Sequence, residues 1–167
     1  MDSERFWQIV DSARAKAGDD IDGRVRALRD VLANEDLDEL QSFQDHYDEM
    51  IRRSYSWDLW GAAYIMNGGC SDDGFRYFRD WLVSEGRVVF ERSIQSAESL
   101  AEIPAPEFAE NELFGYVAFD LFEKKGGGEL ERDFSTEIAI PAGDEWAEDD
   151  LPNKFPSLAK KYGFEAY

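Results

Sequence analysis

The residues with the richest chemistry gather around one stretch, "MNGGCSDDGF", Met66 to Phe75. It carries Asn67, the chain's one cysteine Cys70, and then Ser71, Asp72 and Asp73. Just upstream, Asp58 stands between Trp57 and Trp60 in the apolar run "WDLWGAAYIM". Three chemistries can be built from such residue types. A thiol at a helix start can be acidified into a nucleophile. Paired carboxylates can activate water or move protons. Clustered oxygen ligands can hold a hard cation.

Each chemistry meets an obstacle in the sequence. The sole histidine, His46, falls on a different helical stretch, so Cys70 has no evident base. Asp72 and Asp73 oppose a thiolate, because like charge disfavours the anion. Cys70 is therefore expected to be structural. A transition-metal site needs several His or Cys ligands, and one of each is too few. "NGGCSDDGFRYF" lacks the closing acid of a calcium loop. Neither phosphate-loop glycine pattern occurs, nor a nucleophile elbow. No metal and no cofactor are expected.

What remains is a candidate polar site made of Asp58, Asn67, Cys70, Ser71, Asp72 and Asp73. Asp58 has two readings. An acid among tryptophans must be paired or hydrogen-bonded, as at a helix cap or in a core salt bridge, or else it faces a ligand. The glycine stretch also has a plain structural reading. Asn67, Gly68 and Gly69 suit a helix end in the left-handed conformation. Ser71 suits the cap of the next helix, with Asp72 and Asp73 favourably placed in its first turn.

The elements that must position these residues read as helices. Asp2 or Ser3 can cap a first one, in which Phe6, Val10, Ala13 and Ala17 recur on one face before Gly18 stops it. Ile21, Val25, Leu28 and Leu32 repeat that spacing, with Arg24, Arg26 and Arg29 expected on a solvated side. A capping-box variant at Asp38 and Gln41 opens a third helix through Leu40, Phe43, Tyr47, Met50 and Ile51. Trp57–Met66 has no polar face and is expected at the centre, with Gly61, Ala62 and Ala63 permitting close neighbours. Phe75, Phe78, Trp81 and Leu82 face inward on the helix after Ser71, and a short helix follows Gly86. A further helix is expected from Glu107 or Phe108 to Lys125, with Leu113, Tyr116 and Val117 inward, weakened by Gly115. "TEIAI", residues 136–140, is a possible short strand without a partner.

The expected fold is all-α: a single compact domain of about six to eight helices, with an acidic, partly irregular C-terminal region. Residues 1–125 form the helical domain. Residues 126–167 form a glycine-led acidic segment ending in a short helix packed on it. Within that segment, residues 129–150 carry nine acids against one Arg. The whole chain has 18 Lys and Arg against 37 Asp and Glu, a net charge of −19. Such a field repels nucleic acid and anionic membranes. The first residues have no basic and apolar leader pattern, and no apolar run approaches a membrane span. A soluble, cytoplasmic protein is expected.

Three stretches carry a resemblance: "FWQIVDSARA", "WDLWGAAYIMNGGCSDDGFRYFRDWLVSEGRVVFERSI" and "DDLPNKFPSLAKKYG". They resemble a bacterial family catalogued as domain of unknown function 4240, common in actinobacteria. The likeness covers most of residues 1–125 and is strongest from Trp57 to Phe90. It implies a small, mainly helical cytoplasmic protein and transfers no activity, cofactor or catalytic residue. Two functions stay open. One is a binding or regulatory module for a basic protein partner. The other is a small hydrolase or ligand-binding domain with a carboxylate site near Trp57–Phe75.

Overall fold

The computed structural model describes residues 1–137 and 139–166, Glu137 by its backbone alone. Among them the α-helices are α1 (Ser3–Ala17), α2 (Ile21–Leu32), α3 (Leu37–Arg53), α4 (Trp57–Asn67), α5 (Asp72–Ser84), α6 (Arg87–Gln95), α7 (Val117–Lys124), α8 (Leu151–Lys154) and α9 (Pro156–Tyr162). Short 3-10 helices lie at Ala97–Glu102, Glu112–Tyr116, Ser135–Glu137 and Glu148–Asp150. No strand forms among the described residues; the one bridge pairs Ser56 with Ala142. The all-α expectation holds. The strand considered at "TEIAI" does not appear, its Ile138 lying outside the described residues.

Helix starts follow local chemistry. Asp2, Asp20, Asp36, Ser56 and Ser71 each accept a hydrogen bond from a backbone amide of the first turn that follows. Such a bond satisfies one of the donors a helix start leaves open. The third helix thus begins two residues before the capping box expected at Asp38. α4 ends as its sequence suggests, with Gly68 at φ 70°.

α1 pairs with α2 as an antiparallel hairpin, while α3 packs on α5 and α7. The core they enclose is rich in rings: Phe6, Trp7, Phe43, Tyr47, Phe75, Phe78, Trp81 and Phe90 are all buried. α4 is inside, as its missing polar face requires, and α8 and α9 cover it from the C-terminal side. Gly61 allows that approach. A Cβ added there would stand 2.9 Å from Phe155 and 3.0 Å from Leu151.

Two expectations fail for tertiary reasons. Arg24, placed by sequence on a solvated side, is 1 % exposed. It reaches Glu85 at 2.8 Å and the Gly18 carbonyl at 3.0 Å, partners that lie away from its own helix. Arg26 and Arg29 are exposed as expected. The helix expected from residue 107 begins only at Glu112, as a 3-10 turn. That tighter turn carries Phe114 inward and leaves Leu113 and Tyr116 outside.

The C-terminal segment is tied along the helices by hydrogen bonds. Gln41 exchanges two bonds with the Glu131 backbone, both 3.0 Å. Asp48 accepts from the Asp133 amide at 2.8 Å, and Arg52 pairs with the Asp133 carboxylate. Leu130 is buried beneath this strap. Farther on, Trp57 and Ala142 are joined through their backbones, and Trp146 donates to the Trp57 carbonyl at 2.6 Å.

Candidate functional site

The six residues proposed from sequence do not form one site. Asp58 is exposed and pairs with Lys154 at 3.0 Å, so it is no buried acid. The first turn of α4 points it toward α8, away from the break after Asn67, and Ser56 alone caps the helix. Asn67 is structural: its amide donates to the Ala109 carbonyl at 3.2 Å and accepts from the Ala109 amide at 3.0 Å. Ser71 accepts from the Gly74 amide at 3.1 Å as the cap of α5. Ser71→Ala is therefore expected to cost about 0.5–2 kcal/mol. A thermal melt checks this, and an unchanged midpoint would remove the cap from the account.

Cys70 is half-buried, and its carbonyl accepts from the Trp60 indole at 3.0 Å. Burial, then the nearby Glu110 carboxylate, pushes its thiol up to about 12. His46 does not come to it: the imidazole Nε2 lies 3.0 Å from the Met1 carbonyl oxygen, against Phe6. Asp72 and Asp73 remain. Both are exposed, and both line a cleft that the sequence reading did not foresee.

This cleft, of about 580 Å³, lies between α5, the 3-10 turn Glu112–Tyr116, the α3–α4 junction and the strap at residues 132–136. Its volume is that of an ordinary small-molecule pocket. Asp72, Asp73 and Glu112 stand at its exposed rim, while Arg79 and Asp80 are buried in its depth. One side is a stack of rings. Trp57 lies on Trp60 (centroids 5.4 Å apart) and Trp60 on Phe75 (4.9 Å), both nearly parallel.

Arg79 sits against this stack. Its guanidinium carbon is 4.7 Å from the Tyr55 ring and 4.8 Å from the Phe75 ring. Nη1 donates to the Ile51 carbonyl at 2.9 Å and Nε to the Phe75 carbonyl at 3.4 Å. No carboxylate among the described residues pairs with it, and Nη2 has no partner among them. Burial, then the neighbouring Arg76 charge, holds its proton affinity down at about 10. It stays a cation at neutral pH.

Asp80 lies under Gly115, where an added Cβ would come within 2.6 Å of its carboxylate. The Tyr47 hydroxyl donates to it at 2.6 Å and Arg76 Nε at 3.4 Å. Burial outweighs these partners and lifts its carboxyl to about 6. The third arginine, Arg132, comes from the strap. Its guanidinium lies against Tyr116 (5.3 Å) and Phe134 (5.1 Å). Its Nε is buried without a partner among the described residues.

No group of three or more His, Cys, Asp or Glu side chains is set to hold a metal among the described residues. No helix among them is long and apolar enough to cross a membrane. A family model described as a protein of unknown function, DUF4240, matches residues 1–124. The chain belongs to this family. No curated protein and no solved structure matches it. The DUF4240 match ends with the last residue of α7, so it includes Arg76, Arg79 and Asp80. The strap that brings Arg132, Phe134 and Thr136 to the cleft lies beyond it. The DUF4240 description names no reaction, and function must be argued from the cleft itself.

Proposed function

We propose that this is a ligand-binding domain whose cleft takes up a small anion. One observation carries the reading. In a chain of net charge −19, three arginines converge on one cavity, and two of them have no carboxylate partner among the described residues. Buried cations are normally paired, because an uncompensated charge out of water is costly. Arg79 keeps a free edge in the cleft, and Arg132 keeps an unsatisfied donor at the same cleft. An anion between them would supply the missing acceptors.

The other readings have weaker support. A hydrolase would need a positioned base, and neither Cys70 nor His46 lines the cleft, while Asp58 is elsewhere. Capture of a basic protein is supported by charge alone.

The test is a thermal-shift and calorimetric titration with acetate, inorganic phosphate and indole-3-carboxylate at fixed low ionic strength. At least one anion should raise the midpoint of the native chain. Arg132→Gln should weaken that binding by about 10- to 100-fold, the range for a lost hydrogen bond to a charged group. If no anion shifts the native chain, the ligand-binding proposal is wrong.

A further inference from the structure

Resting on the anion-binding reading, we infer that the ligand is a planar aromatic acid carrying a single negative charge. Three features of the cleft converge on that class. The first is how its cations are held. Arg79 packs against the stacked Tyr55 and Phe75 rings, and Arg132 lies against Tyr116 and Phe134. A guanidinium packed against rings offers a ligand its N–H edge, and that edge matches the in-plane oxygens of a carboxylate.

The second feature is the charge balance. Arg76 is already committed to Asp80. Arg79 and Arg132 remain for the ligand, inside a rim bearing Asp72, Asp73 and Glu112. Those three carboxylates repel an incoming anion, and repulsion grows with its charge. A monoanion meets two cations and little net penalty. A phosphate dianion doubles attraction and repulsion alike, but its desolvation cost grows with the square of the charge, so it gains less on entering the cleft.

The third feature is the open apolar surface. Phe134 is 49 % exposed and Tyr116 39 % exposed, both at the cleft and both in contact with Arg132. Trp60 is closed on both faces by Trp57 and Phe75, so it presents only an edge. A flat ring entering beside Arg132 would meet the free faces of Tyr116 and Phe134 and the edge of Trp60. Ring-on-ring contacts of this kind add to simple apolar burial. A short aliphatic acid would leave them unused.

The experiment compares four probes on the intact chain by calorimetry: indole-3-carboxylate, acetate, indole and inorganic phosphate. Indole-3-carboxylate should bind at least about tenfold more tightly than acetate, uncharged indole or phosphate. Phe134→Ala, at an exposed position that does not hold the core, should remove most of that advantage. If phosphate or acetate binds as tightly as indole-3-carboxylate, and does so through Arg132, the aromatic-acid inference falls while the anion-binding reading stands. If indole binds as well as its carboxylate, the charge requirement falls. If none of the four binds, both proposals fall together.

Discussion

Asp80→Ala is expected to destabilise the protein by about 3–5 kcal/mol at neutral pH, the range for truncating one member of a buried charged set. The substitution removes the acceptor of the Tyr47 hydroxyl, the partner of Arg76 and the carboxylate whose charge supports Arg79. It also opens a void under Gly115. Denaturant unfolding of native and variant chains measures the cost. A loss under about 1 kcal/mol would mean that water reaches Arg76 and Arg79 freely, and the cleft would then lack the low dielectric on which its anion affinity depends.

Asp80→Asn keeps the shape without the charge: its amide oxygen can still accept from the Tyr47 hydroxyl, while the position facing Arg76 becomes an NH2 group. The carboxyl of Asp80 is lifted from an ordinary value near 3.8 to about 6, chiefly by burial. In that interval the folded chain keeps a proton that the unfolded chain has released, so this residue's contribution to stability is full below about pH 4. It is lost as pH rises through about 6. The native chain should therefore lose on the order of 3 kcal/mol relative to Asp80→Asn between about pH 4 and pH 7. Other carboxylates titrate alike in both proteins and cancel in the difference.

Much of the architecture was legible because helix ends obey local chemistry. Asp2 and Ser71 cap by their own side chains, and the absence of a polar face on α4 sufficed to put it inside. The cleft was harder to read, because its parts meet only in the tertiary fold. Arg79 follows Phe75 by four residues and precedes Leu82 by three, so spacing puts it on the buried face of α5. A cation on an apolar stripe was the available signal. The partner that makes it tolerable is the Ile51 carbonyl, 28 residues away. Arg132 carried a signal too, as the one Arg among the nine acids of residues 129–150. Its ring partner Tyr116 sits on a turn whose irregular geometry helical spacing does not predict. Asp58 misled for the converse reason. Its tryptophan neighbours suggested burial, but the first turn of α4 directs it outward to Lys154.

Arg79→Ala should cost about 3–4 kcal/mol, since it removes two hydrogen bonds made by a buried cation and its packing against the Tyr55 and Phe75 rings. The Ile51 carbonyl belongs to the last turn of α3 and the Phe75 carbonyl to the first turns of α5. The guanidinium therefore bolts α5 to α3 through Nη1, while Nε is fixed on its own helix and Nη2 is left for the cleft. These roles can be told apart. Arg79→Met fills most of the space but supplies neither donors nor charge, so it should recover packing and bind no anion. Arg79→Lys restores a cation, yet a single ammonium cannot reach both carbonyls and pack flat against the rings of Tyr55 and Phe75. It should recover part of the anion affinity and little of the stability. Unfolding and ligand titration on the same three variants read the two roles independently. If Arg79→Lys matches the native chain in stability, the planar fork is not the bolt between α3 and α5. If it unfolds early yet still binds its anion, charge alone suffices for the ligand and geometry alone for the fold.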